Sequence, residues 1–123
     1  MKSFTDIEQS KKLAEILPIE SADMCYRLVA YNPDNTHEYA PYCFKGTLSS
    51  DIPCWSLAAL INALPISIKF KDDEYYLRFM KEYVEYANDE ISLTGRCLHT
   101  TGNNNLVDAC YEIILKLHEL NLI

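Results

Sequence analysis

The chain has 123 residues, with 18 acids against 11 bases and a formal net charge of −7. That length fits one domain, and area scaling lets about two-thirds of the unfolded surface be buried, enough for a core. The acidic balance argues against gripping DNA or RNA by its phosphates and against an anionic membrane surface, both of which take a basic face.

The first expected element is a helix that Pro18 stops. Thr5 and Glu8 have capping-box spacing. Ile7, Ala14 and Leu17 fall on one face with Leu13 beside them, and Glu8, Lys11, Lys12 and Glu15 are left to solvent. Residues 24–31 are rich in β-formers, Asn32-Pro33-Asp34-Asn35 is a turn signal, and residues 38–45 read as a returning strand. Pro41 inside that strand implies an edge or a bulge. Ser49-Ser50-Asp51 ahead of Pro53 then reads as the cap of a helix over 53–64, closed by Pro65. Only Ser56 and Asn62 are polar after its first residue. The helix is therefore expected to be buried on nearly all sides, with Trp55 as a core anchor.

Residues 66–71 alternate strictly, as a half-buried strand does, and Asp72-Asp73 marks a turn. Residues 74–88 read two ways. As a helix, Glu74, Arg78, Lys81, Glu82, Glu85 and Asn88 make one polar stripe; as strands, Tyr75, Leu77 and Phe79 share a face. Short strands are expected at 91–93 and 96–100, then a loop over 101–105. Asn104 or Asn105 caps a last helix that buries Leu106, Cys110, Ile113, Ile114 and Leu117. No apolar signal-peptide core is evident, and the longest apolar stretch, 53–64, falls short of the roughly 20 residues of a membrane span. The expected location is the cytoplasm.

The five cysteines, Cys25, Cys43, Cys54, Cys97 and Cys110, are odd in number and form no C-x-x-C pair, so they read as reduced thiols. Arg96-Cys97-Leu98-His99 is the one Cys-and-His cluster. A metal would need two further ligands, and His37 and His118 lie in other elements. His118 reads as a favourable charge at a helix C-terminus. No catalytic, cofactor-binding or metal-ligating residue is assigned. The unusual segment is 72–90. Asp72, Asp73, Glu74, Glu82, Glu85, Asp89 and Glu90 face only Arg78 and Lys81, so this stretch carries −5 and the other 104 residues only −2. It also holds Tyr75, Tyr76, Tyr83 and Tyr86. Such a segment is either a buried aromatic face backed by a solvated charged one, or an acidic surface for a basic partner.

Three blocks carry a resemblance: Phe4-Thr5-Asp6-Ile7-Glu8-Gln9-Ser10-Lys11-Lys12-Leu13-Ala14-Glu15-Ile16-Leu17-Pro18, Pro53-Cys54-Trp55-Ser56-Leu57-Ala58-Ala59-Leu60, and Asn105-Leu106-Val107-Asp108-Ala109-Cys110-Tyr111-Glu112 with Lys116-Leu117-His118-Glu119-Leu120. They resemble small uncharacterised proteins encoded by prophages and mobile elements of anaerobic gut bacteria. That family offers no assigned activity or ligand, and the resemblance implies strands for 74–88. The expectation is one α+β domain over 1–123, with three helices packed on one side of a mainly antiparallel sheet. The expected function is a non-enzymatic cytosolic accessory protein of a mobile element. It would bind a protein partner of basic character through 72–90, without direct nucleic-acid or membrane binding. One alternative is a DNA mimic, with carboxylates spaced like phosphates along an exposed face. Another is a small enzyme or metabolite binder, with Arg96, Cys97 and His99 converging on a pocket. Leu122-Ile123 is a candidate self-association patch.

Overall fold

Asp6 starts the first helix, α1 (Ile7–Ala14). Its carboxylate accepts from Gln9 N at 2.8 Å and Gln9 Oε1 accepts from Asp6 N at 3.1 Å, so the capping box is Asp6–Gln9 rather than Thr5–Glu8. Thr5 is displaced from the cap because it is fully buried and its hydroxyl is engaged elsewhere. The computed structural model describes residues 2–99 and 105–123. Thr100, Asn104 and the 101–104 part of the expected loop lie outside the described residues. Among the described residues the fold is α+β, with three α-helices and two antiparallel sheets, and the 74–88 stretch forms two strands rather than a helix. The chain divides into two compact units, residues 3–59 and residues 60–123 with Lys2.

In the 3–59 unit the strand order is β2-β1-β3, with β1 (Met24–Tyr31) central, β2 (His37–Tyr42) and β3 (Ile52–Cys54). Both edge strands carry a proline, Pro41 opposite Tyr26 and Pro53 opposite Cys25, since an edge tolerates a residue with no N–H. The β1–β2 register also slips between Leu28 and Ala30. Pro53 therefore belongs to β3, not to a helix. The helix α2 (Leu57–Ala63) is correspondingly short, seven residues. Its first turn is capped by Ser56, whose hydroxyl accepts from Ala59 N at 3.2 Å and bonds the Asp23 carboxylate. Leu60 is fully buried, while Ala58 and Asn62 are exposed, so α2 is not apolar-covered all round.

Thr5 holds this unit together. Its N–H donates to Trp55 O at 2.9 Å, and its hydroxyl accepts from Trp55 N at 3.2 Å and pairs with Ser10 Oγ at 2.8 Å. Its carbonyl accepts from the Tyr26 hydroxyl at 2.7 Å. Trp55 is fully buried, as expected of an anchor, and its indole N–H reaches Ser21 Oγ at 2.9 Å.

In the 60–123 unit the order is β4-β5-β6-β7: β4 (Ser67–Phe70), β5 (Asp73–Phe79), β6 (Tyr83–Ala87) and β7 (Cys97–Leu98). Phe70 pairs with Asp73, so Lys71-Asp72 is a two-residue hairpin loop. Both residues have positive φ, 51° and 69°, as a type I′ turn requires. Ser92 adds a single bridge to Ala87 in place of a full 91–93 strand. The last helix, α3 (Leu106–Glu119), is capped by Asn105, whose Oδ1 accepts from Asp108 N at 3.0 Å. It packs on β6 and β7, burying Val107, Ala109, Cys110, Ile113, Ile114 and Leu117; Leu106 is only half-buried. The chain then turns back. Asn121 has φ 58° and Leu122 N donates to Leu117 O at 2.9 Å, a Schellman closure that leaves Leu122 and Ile123 half-buried.

Thr5→Val keeps the shape of the side chain but strands Trp55 N–H without that acceptor. It should lower unfolding stability by about 1–3 kcal/mol in urea denaturation. Replacing Lys71-Asp72 by Asn-Gly, the preferred type I′ pair, should raise stability by about 1 kcal/mol in the same assay.

Candidate functional site

Segment 72–90 is built by the β5–β6 ladder. Tyr76 pairs with Ala87 and Arg78 with Glu85, and Met80 N donates to Tyr83 O at 2.8 Å. Alternation therefore places Tyr76, Arg78, Met80, Tyr83, Glu85 and Ala87 on one face. Tyr75, Leu77, Val84 and Tyr86 lie on the other, together with Cys97 opposite Val84. The four tyrosines divide accordingly. Tyr75 and Tyr86 are buried, and the Tyr86 hydroxyl donates to Pro65 O at 2.5 Å while burial pushes its pKa upward. Tyr76 is 48% exposed, with Glu74 beside it raising its pKa through a hydrogen bond. Tyr83 is half-buried beneath the Arg96 guanidinium, 4.5 Å from the ring centre. Met80 and Leu98 are 47% and 42% exposed, and the pairing of Leu98 with Tyr83 puts it on the Tyr76 face.

Six of the seven acids of this segment, Asp72, Asp73, Glu74, Glu82, Asp89 and Glu90, are exposed. The antiparallel ladder gathers Asp72, Asp73, Glu74, Asp89 and Glu90 at one end of the sheet and leaves Glu82 at the other. Asp89 lies 3.7 Å from Arg78. Glu85 is the exception. Its side chain is 6% exposed, and its Oε2 is buried with no hydrogen-bond partner. Arg96 Nε is 3.7 Å from that oxygen, an ion pair without a hydrogen bond. A shallow cavity of about 200 Å³ is lined by Glu85 together with Arg78, Asn88, Asp89, Ser92 and Arg96.

The 3–59 unit holds a larger cavity of about 550 Å³, lined by Ile19, Met24, Lys45, Leu48, Asp51 and Pro53 among others. Its charged groups Lys45 and Asp51 are bonded within the chain. Lys45 Nζ donates to Glu20 O at 2.8 Å. Asp51 takes both arms of Arg27, Nε at 3.0 Å and Nη2 at 2.9 Å, and also accepts from Thr47 N at 3.0 Å and Leu48 N at 2.9 Å. The Arg27 bond, then the backbone amides and the Arg27 charge, hold its pKa down to about 2 against the opposing effect of burial. The 46–51 loop closes tightly over this carboxylate. A Cβ on Gly46 would stand 2.6 Å from Asp51 Cβ, so only glycine fits.

Arg96, Cys97 and His99 do not converge. Cys97 is buried, with Lys116 Nζ 3.6 Å from its sulfur, and burial raises its pKa. His99 Nε2 bonds Met80 O at 2.9 Å, and Arg96 lies on Tyr83. Cys25, Cys54 and Cys110 are buried free thiols and Cys43 is an exposed one. His37 makes an edge contact with Tyr31, ring centres 4.7 Å apart, and His118 Nδ1 is 3.4 Å from Ile123 O. Among the described residues no three His, Cys, Asp or Glu side chains are grouped for a metal ion, and no helix is long and apolar enough to cross a membrane. Neither the Asp51–Arg27 clamp nor the burial of Glu85 is visible in the sequence pattern. Glu85 falls on the polar stripe of the helical reading and on the wet face of the strand reading, and both mark it as exposed. Compared with protein-family models, with curated proteins and with solved structures, the chain matches none.

Because its pKa is depressed, Asp51 contributes stability that is fully present above its unfolded value near 3.8 and is lost as pH falls through about 2. The Thr47 and Leu48 amide shifts should titrate together with a midpoint near pH 2 in NMR. In Asp51→Asn that transition should vanish.

Proposed function

We propose that the chain is a non-enzymatic accessory protein that binds a basic protein partner through residues 72–90. The observation that carries this reading is the partly exposed β5–β6 face, on which Glu85 and Ala87 are buried. Tyr76 and Met80 stand exposed on it, with Leu98 of β7 beside them, and six exposed carboxylates border it. Tyrosine and methionine are enriched at protein interfaces, and a rim of one charge selects a partner of the other while speeding encounter. The separation of Arg96, Cys97 and His99 supports binding over catalysis. A role in a cytoplasmic mobile-element system is the part of the proposal that rests on the resemblance of the three sequence blocks. A DNA mimic is the weaker reading, because Glu85 is buried and Asp89 stands beside Arg78, which interrupts any phosphate-like row.

The test is capture from bacterial lysate with wild type and with a variant in which Asp72, Asp73, Glu74, Glu82, Asp89 and Glu90 become Asn or Gln. Wild type should retain a basic protein, less of it as salt rises from about 0.05 to 0.3 M, and the variant should not. Equal recovery on both overturns the proposal. Displacement of the captured protein by duplex DNA would move the assignment to the DNA mimic.

A further inference from the structure

The larger cavity of the 3–59 unit, about 550 Å³, lies between the turn at Ile19–Ser21, the paired strands β1 and β3, and the 46–51 loop. That volume falls within the range of small-molecule sites. Ala22, Met24 and Pro53 line it, and Ala22 and Met24 are buried. Ile19 and Leu48 line it as well, yet each is more than half exposed, so the hollow leaves aliphatic surface open to water. The loop is held in place without a ligand, because Asp51 accepts from Thr47 N, Leu48 N and both arms of Arg27. Lys45 is differently placed. Its Nζ donates to one neutral group, the carbonyl of Glu20 at 2.8 Å, and among the described residues it forms no ion pair. An ammonium has three donors, so two of them remain for water or for a ligand. Glu20 is exposed and meets Lys45 through its backbone rather than its carboxylate.

We propose that this cavity binds a free aliphatic monocarboxylate. Its tail lies on Ala22, Met24 and Pro53 between Ile19 and Leu48, and its carboxylate meets Lys45 Nζ. The lining combines apolar surface with one cation that has donors to spare, which matches a ligand of one apolar tail and one negative charge. A phosphate dianion fits worse. It would seek several donors, but the Thr47 and Leu48 amides are spent on Asp51, and Asp51 and Glu20 add two carboxylates to the lining. A peptide C-terminus fits worse for a related reason: its amide groups would need partners that those spent amides no longer offer. An alkyl tail asks only for apolar area, and each methylene it buries strengthens binding about fourfold. The site uses residues 19–53 alone and is independent of the docking reading of 72–90.

The probe is octanoate, titrated into the ¹⁵N-labelled chain and followed by NMR, beside octanamide, which keeps the tail and loses the charge. Saturable shifts should centre on Ala22, Met24, Gly46 and Leu48. Octanamide should bind about fivefold more weakly, as loss of one solvent-facing ion pair entails. Butanoate, shorter by four methylenes, should bind at least about tenfold more weakly than octanoate. Lys45→Met keeps the aliphatic stem and should bring octanoate down to the level of octanamide while leaving octanamide unchanged. Leu48→Ser should weaken both. Lys45 and Leu48 are exposed, so neither variant disturbs the core. The proposal is overturned by no saturable shift with octanoate, by shifts centred outside residues 19–53, by equal affinity for octanoate and octanamide, or by unchanged octanoate binding in Lys45→Met. Tighter binding of N-acetyl-leucine than of octanoate also overturns it and moves the site to a peptide C-terminus. Because residues 72–90 take no part in this titration, its failure leaves the docking reading standing, and failure of lysate capture leaves this site standing.

Discussion

The 3–59 unit depends on one buried side chain, Thr5. Its backbone and hydroxyl together hold the segment around Trp55, accept the Tyr26 hydroxyl and engage Ser10 of α1. β3 is three residues long, too short to be fixed by its ladder alone, and the Thr5–Trp55 bonds pin its outgoing end. Once Cys54 lies opposite Met24, the antiparallel register brings Asp51 alongside Arg27. The Asp51–Arg27 clamp and the closed 46–51 loop are thus downstream of a hydroxyl more than forty residues away. A fully satisfied buried polar network of this kind specifies one arrangement, because every alternative leaves a donor or acceptor unpaired.

This long-range dependence explains which parts of the fold were legible. The alternation over 66–71, the Asn32–Asn35 turn, the edge position of Pro41 and most of the buried face of α3 follow from local chemistry, and the chain adopts them. The helix over 53–64 does not form as read because its cap signal was real but claimed elsewhere. Asp51 serves Arg27, Pro53 fits an edge strand, and the actual cap, Ser56, takes its support from Asp23. The Thr5–Glu8 spacing fails for the same reason, one residue from the true cap. In 74–88 the polar stripe fits a helix as well as it fits strands. Register settles it: Tyr75 and Tyr86 are buried on one face only as strands, and the 71–72 turn feeds β5 directly.

The two buried carboxylates meet their arginines in different ways. Asp51 and Glu85 each sit in a β-rich unit beside an arginine. Asp51 meets Arg27 in a two-pronged geometry at 2.9 and 3.0 Å and receives two amides as well, so it accepts four hydrogen bonds from within the chain. Glu85 meets Arg96 at 3.7 Å because a tyrosine ring holds the guanidinium aside. The Asp51 carboxylate that lines the larger cavity is thus already bound within the chain, whereas Glu85 Oε2 is buried beside Arg96 without a hydrogen bond.

The concentration of charge in 72–90 acquires a physical reason from this arrangement. A sheet face that leaves Tyr76, Met80 and Leu98 exposed invites association with a second copy of itself. Bringing two such faces together would oppose the exposed carboxylates of one copy to those of the other, which is costly even after screening. On the proposed reading, the carboxylates that border the face would oppose such pairing, and the same carboxylates would lower the barrier for a basic partner. Repulsion between copies and attraction of a partner would then need no separate devices. Both would follow from the concentration of negative charge in 72–90, while the −2 of the remaining 104 residues leaves the rest of the chain nearly neutral in net charge.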